Sequence, residues 1–319
     1  MATATAPPAA GATQPRRRSR GVPERRLAWF MVSPSLVLIA LVALYPIIYA
    51  IWLSLHQYSL LEAGLTRWAE PNPPFGNYTE ALWGDGSTAF WRATRTTFIF
   101  TFFSVAFELV LGVAMAMAMH AAFKGQGLLR TVVLVPWAVL TVVTAITWQT
   151  IFEPELGFTN SLLGAVGLPD DTVWLGSSPE ALMVMIFADV WKTAPFMALL
   201  VLAGLQTIPG EIYEAAKVDG ATAWQRFVRI TLPLLKPAIL VALIFRTLDA
   251  LRIFDLPYVL TGGTNGTETL STLAHRELTS NQLIGYGSAL SVLTFIIVMA
   301  VSFLYIRFIG GNLKTMAEE

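Results

Sequence analysis

Cysteine is absent from the chain, and histidine occurs only at His56, His120 and His275. The first fact excludes disulfides, thiolate metal sites and cysteine nucleophiles; the wide spacing of the second leaves no His-rich metal signature. Charge is scarce as well. Asp, Glu, Lys and Arg make up 13% of 319 residues, about half the share of an average soluble domain. The charges also cancel, 21 basic against 21 acidic, so there is no basic surplus of the kind that nucleic acid attracts. A disordered protein and a disulfide-built secreted module are equally poor fits. No Gly-x4-Gly-Lys-Ser/Thr phosphate loop occurs, so the chain is not itself an ATPase of that type. What is abundant is apolar: 55% of residues are hydrophobic and the mean hydropathy is +0.60. One polytopic membrane domain accounts for this better than two soluble ones.

From Leu27 to Leu61 runs a stretch of 35 residues without an acid or base. A secretory signal has an apolar core of only about 7–15 residues, so this segment spans and stays. Five further spans are expected at about Thr96–Phe123, Thr131–Phe152, Ala181–Leu205, Leu234–Leu260 and Leu283–Ile306. Residues 1–26 read as a disordered basic cytoplasmic tail, 27–56 as the first transmembrane helix and 57–91 as an extracytoplasmic loop. With the amino terminus inside, cytoplasmic segments hold 14 Lys or Arg and outer loops hold four, Arg67, Arg92, Arg95 and Arg276. By the positive-inside rule both termini face the cytoplasm. There is no internal repeat of the kind that marks many secondary transporters.

The largest polar interval between spans, 207–233, lies on the cytoplasmic side. Pro209-Gly210 ends the fourth helix, and a new one begins with Glu211 and Glu214, acids suited to the positive end of its dipole. Ala215 and Ala216 leave that helix thin on one side. Gly220 permits a reversal, Thr222 can cap a second short helix through Ile230, and Pro233 suits the first turn of span five. On physics alone this is either a helix-turn-helix knob in the cytosol or an amphipathic connector lying on lipid.

Glu214-Ala215-Ala216, Gly220 and Ile230-x-Leu232-Pro233 have the spacing EAA-x3-G-x9-I-x-LP. This resembles the EAA-type loop of bacterial type I ABC importer permeases. Residues 92–312 are similar to that permease domain, and 313–319 read as a short cytoplasmic tail. Ala188–Phe196 and Arg246–Gly263 resemble the maltose/trehalose branch, within which the chain is similar to the first permease subunit of actinobacterial trehalose importers. The resemblance implies an all-α integral membrane protein of six transmembrane helices with a cytoplasmic coupling helix. It also implies a second homologous permease subunit, a dimer of ATP-binding subunits, an extracytoplasmic substrate-binding lipoprotein and a sugar such as trehalose. ATP and Mg are then used by the partner ATPase; this chain needs no cofactor or metal of its own, contacts membrane lipid, binds no nucleic acid and is not catalytic. Glu214, Ala215, Ala216, Gly220 and Pro233 are the positions that would couple to the ATPase.

Arg246, Asp249, Arg252 and Asp255 recur every three residues with alternating sign. On one helix they would form a spiral about 13 Å tall, successive members pairing at i,i+3, and Asp189 with Lys192 would do the same on span four. Such residues are expensive in hydrocarbon and turn toward partners or a wet cavity. They are either a salt-bridge ladder or the lining of a pathway. In maltose-type permeases sugar lies between segments corresponding to Trp191–Phe196 and Phe245–Phe254, which implies Trp191, Lys192, Phe196, Asp249 and Arg252 as pathway residues. The relatives carry uncharged polar residues at the last two. Glu108, alone in span two, is expected to bond a neighbouring helix. Asn77-Tyr-Thr and Asn265-Gly-Thr read as ordinary loops and Gly262-Gly263 as a turn. The competing reading is an ion-coupled secondary transporter using the span-five charges; an intramembrane enzyme lacks any Ser/His, paired-Asp or His-x3-His constellation.

Overall fold

The computed structural model describes residues 24–61, 67–68, 73–121 and 123–317. Most of the basic tail read over 1–26 lies outside them; Glu24 already opens a helix. The chain divides after Tyr49 into two compact units. Before that boundary α1 (Glu24–Ile39) and a π turn (Ala40–Leu44) lead into α2 (Tyr45–Ser54). Large apolar side chains such as Phe30, Met31 and Val42 stand exposed here, as a lipid-facing helix requires. Pro46 lies two residues past the π turn. A proline ring presses on the carbonyl four residues back, here inside the wider turn. The same arrangement recurs at the π turn Phe227–Thr231, followed by Pro233.

The described residues of the second unit are mostly helical, with a two-residue antiparallel ladder, β1 (His56–Gln57) with β2 (Arg67–Trp68). After α3 (Gly76–Trp83) the long α4 (Ser87–His120) crosses to the other end of the bundle, where α5 (Gln126–Ala138) and α6 (Thr141–Ile151) turn back; α7 (Phe158–Ala165) precedes α8 (Glu180–Leu205). Then come α9 (Gly210–Val218), α10 (Ala223–Arg226), α11 (Leu232–Ala250), α12 (Asp255–Thr261), α13 (Leu270–His275) and α14 (Ile284–Ala317). Among the described residues, five helical stretches are long and apolar enough to cross a membrane: Arg26–Ser54, Ser87–His120, Glu180–Leu205, Ala223–Ala250 and Ile284–Tyr305. The pair α5 and α6 makes a sixth if taken as one bent span.

Helix α8 is the central post, packing most extensively on α4 and also on α11 and α5. Small residues permit this. A Cβ on Gly112 of α4 would sit 2.6 Å from Met197 Cγ and 3.2 Å from the Ala198 backbone nitrogen of α8, the close approach by which membrane helices gain dispersion contacts. One apolar cluster gathers Phe100, Val105, Met185 and Ala188. A second gathers Val113, Ala116, Ala198 and Leu235 toward the α9 end.

Several expectations need correction. The third span is not one helix: α5 and α6 meet at 89°, because the backbone leaves helical geometry at Val139 and Leu140, whose ψ values are 136° and 140°. The fifth stops at Ala250 rather than Leu260. Pro257, whose ring and missing N–H are disfavoured in a helix interior, falls in the first turn of the separate α12. Both breaks consist largely of apolar residues, so hydropathy runs straight through them. The second span begins at Ser87, the first ends at Ser54, and residues 313–317 are helical, continuing α14. The loop 57–91 contains both strands, α3 and the start of α4. Nor is Asn77 an ordinary loop residue: it is buried in α3, and its Nδ2 donates to the Ser54 and His56 carbonyls, each at 2.9 Å. Asn265 (φ +54°) and Gly262-Gly263 (φ +68° and +71°) do form turns.

Candidate functional site: a polar cavity and a helical elbow

Three helices meet through charge in the interior. From α11, Arg246 donates through Nε to Glu108 Oε2 at 2.5 Å and through Nη2 to Glu108 Oε1 at 2.9 Å, a bidentate grip on α4. The same Nη2 reaches Asp189 Oδ2 on α8, and Nη1 reaches Asp249 Oδ2 at 3.0 Å. Thr193 Oγ1 donates to Glu108 Oε1 at 2.5 Å. Arg246 is 2% exposed and Glu108 not at all. Such a buried network survives in an apolar interior because nearly every polar atom has a partner. It sits along α4 and α8 between the two apolar clusters, with Val105 and Ala188 on one side and Val113 and Ala198 on the other.

This arrangement replaces the charged spiral. Only the Arg246–Asp249 rung forms. Arg252 lies past the end of α11, donates to the Leu248 carbonyl at 3.1 Å and has no ion pair among the described residues. Asp255 belongs to α12. Asp189 pairs with Arg246 and not with Lys192. Glu108 does bond neighbouring helices, as expected of a lone acid in its span.

Beside the network lies a cavity of about 190 Å³ whose polar wall is built by Asp189, Lys192, Thr193, Asp249, Arg252, Asp255 and Thr141. Thr141 opens α6 at the bend after α5, and Arg252 occupies the break between α11 and α12. Two interrupted helices thus converge on one polar space, and α12 packs directly on α6. Irregular backbone at membrane depth is tolerated where it is buried in protein or lines a cavity. Of the five expected pathway residues, Lys192, Asp249 and Arg252 line this cavity; Trp191 and Phe196 do not. Trp191 stands edge-on to Trp148 at 5.9 Å and is 41% exposed. Phe196 stacks on Trp137 at 6.0 Å.

At the far end of α4 and α8 the chain forms an elbow. The first arm, α9, starts after Pro209 in extended conformation (ψ 134°). It ends in a Schellman turn: Ala221 N–H donates to the Ala216 carbonyl at 2.9 Å and Gly220 N–H to the Lys217 carbonyl at 3.1 Å. Gly220 has φ +74°, the left-handed geometry that this motif assigns to glycine. The second arm opens on a capping box in which Thr222 Oγ1 accepts from Gln225 N–H and Gln225 Oε1 accepts from Thr222 N–H at 2.8 Å. It continues through the π turn into α11, so Pro233 lies inside a continuous helical run rather than at a fresh start. Tyr213 Oη meets Thr231 Oγ1 at 3.1 Å, locking arm to arm, and Arg226 Nη1 donates to the Ala221 carbonyl at 3.0 Å, tying α10 to the turn. Glu214 and Ala215 are exposed, Ala216 is buried, Pro233 half-buried, and Val218 and Trp224 are 88% and 71% exposed. Gln225 escaped the sequence reading although Thr-x-x-Gln is a legible capping signal; Tyr213–Thr231 and the Arg246 network had no local signal.

A helical membrane bundle whose broken helices face a polar cavity, with a rigid elbow beneath it, is a transport component. The family model for binding-protein-dependent transport system inner membrane components matches residues 108–312, and the chain belongs to that family. It is 43% identical over 288 residues to the trehalose transport system permease protein SugA of Mycobacterium tuberculosis, covering 90% of both chains. It is 41% identical over 289 residues to the trehalose/maltose transport system permease protein MalF of Thermococcus litoralis, covering 89% of this chain and 94% of that one. Among solved structures, a chain of a bacterial ABC transporter involved in alginate import shares the fold with a TM-score of 0.74 at 24% identity, covering 90% of this chain and 97% of that one.

Proposed function

We propose that the chain is the transmembrane permease subunit of an ATP-driven importer for a disaccharide such as trehalose. It lies in the bacterial plasma membrane with both termini in the cytoplasm. A second homologous permease subunit completes the pathway, and an extracytoplasmic lipoprotein delivers the sugar. A dimer of ATP-binding subunits, using ATP and Mg, grips the elbow. The observation that carries the reading is the continuity of elbow and span: α9 is locked to the π turn, the π turn runs into α11, and α11 holds α4 and α8 through Arg246. A push on the exposed Glu214–Ala215 side therefore moves three spans rather than bending a loop.

The cavity of about 190 Å³ falls below the roughly 300–1,000 Å³ of ordinary ligand sites. It holds one side of the sugar, and the partner permease supplies the other. Lys192, Asp249 and Arg252 alternate in sign, which offers donors and acceptors to hydroxyls. Family membership, not the buried charges, decides against an ion-coupled carrier. The test uses Gly220→Val in the purified importer: sugar-stimulated ATP hydrolysis is lost while the spans still insert, and full transport by this variant overturns the coupling role. Because the chain has no cysteine, Val218→Cys alone reports sidedness, and labelling from outside the cell overturns the orientation.

A further inference from the structure

A second cavity, of about 550 Å³, opens between the last turn of α4 and the elbow. Its basic wall is His120 of α4, Lys217 of α9 and Arg226 of α10; its apolar wall is Met117, Leu205 and Phe227. No carboxylate lines it. Nothing in the transport mechanism above uses these three bases, and their spacing is set by the fold rather than by local sequence. Lys217 lies in the last turn of α9, and Arg226 is oriented by its bond to the Ala221 carbonyl. They stand on opposite sides of the Gly220 turn, so an anion between them touches both arms of the elbow. Phe227, at the start of the π turn, joins the basic side to the apolar one.

A cluster of bases with an apolar flank, at the cytoplasmic border of a span, selects an amphiphile carrying a phosphate. We propose that this cavity binds the phosphate of an anionic membrane phospholipid, its first methylenes lying on Met117, Leu205 and Phe227. The bound lipid staples α9 to α10 and makes the stiffness of the elbow depend on the surrounding leaflet. The inference rests on the cytoplasmic placement of the elbow, which Val218→Cys labelling tests separately. A water-soluble phosphate ester could satisfy the bases but not the apolar wall, and that difference separates the two sources.

The experiment is native mass spectrometry of the purified importer after reconstitution into phosphatidylcholine vesicles containing a fixed minor fraction of phosphatidylglycerol. The wild type retains phosphatidylglycerol in preference to phosphatidylcholine. Lys217→Gln and Arg226→Gln each lower that retention about fivefold, since one base near the leaflet is worth about that factor. Lys124→Gln, a charge change outside the cavity, leaves retention at the wild-type level. Because Arg226 also bonds the elbow backbone, Lys217→Gln alone suffices as the test. Equal retention by Lys217→Gln and wild type overturns the proposal, as does an equal loss in Lys124→Gln. Displacement of the lipid by millimolar glycerol phosphate overturns the lipid as the occupant.

Discussion

Removing Arg246 isolates what the buried network contributes. In Arg246→Leu the side chains of Glu108 and Asp189, almost fully buried, lose the guanidinium that they share. Breaking a buried pair from one side costs about 3–5 kcal/mol, because the remaining charge is left uncompensated. The Asp249 contact adds little, since its carboxylate is 71% exposed and such pairs are worth about 0–1 kcal/mol. Glu108→Gln is gentler: Arg246 keeps Asp189, and Thr193 keeps an oxygen acceptor. Replacing Glu108, Asp189 and Arg246 together by leucine removes every buried charge of the network at once and leaves only the exposed Asp249, and such exchanges are commonly neutral or stabilising. The expected order of stability is therefore wild type and triple variant together, Glu108→Gln slightly below, and Arg246→Leu lowest. Unfolding of the purified protein in mixed micelles, followed by tryptophan fluorescence, reads this order. An Arg246→Leu variant within about 1 kcal/mol of wild type, or a triple variant as weak as the single one, refutes the reasoning.

Asp249→Ala tests the cavity. Its exposed carboxylate supports little packing, so the importer assembles at normal yield while sugar uptake falls; assembly failing before uptake overturns the pathway role. Asn77→Ala leaves the Ser54 and His56 carbonyls without this donor at a cost of about 1–3 kcal/mol. Thr79→Ala, which loses one hydrogen bond to the Gly76 carbonyl within its own helix, costs less. Equal melting temperatures for these two variants show that Asn77 is not the link between α3 and the end of α2.

The sequence alone determined the class of protein, because hydrocarbon thickness dictates about 20 apolar residues per span and that requirement is written locally. It also determined the elbow: Gly220 for the left-handed turn and Thr222 for the cap are fixed by backbone needs within a few residues. Tertiary structure decided where the charges go. Arg252 falls beyond the end of its helix, Asp189 turns away from Lys192, and Glu108 lies 138 residues from the guanidinium that holds it. Ion pairing across helices leaves no periodic mark on any one of them. The bend between α5 and α6 was equally hidden, since Val139 and Leu140 are as apolar as the helices that they separate. A membrane helix advertises its length through solvent transfer, a short-range property of each residue, whereas its partners and its breaks depend on which groups the packed bundle brings within bonding distance.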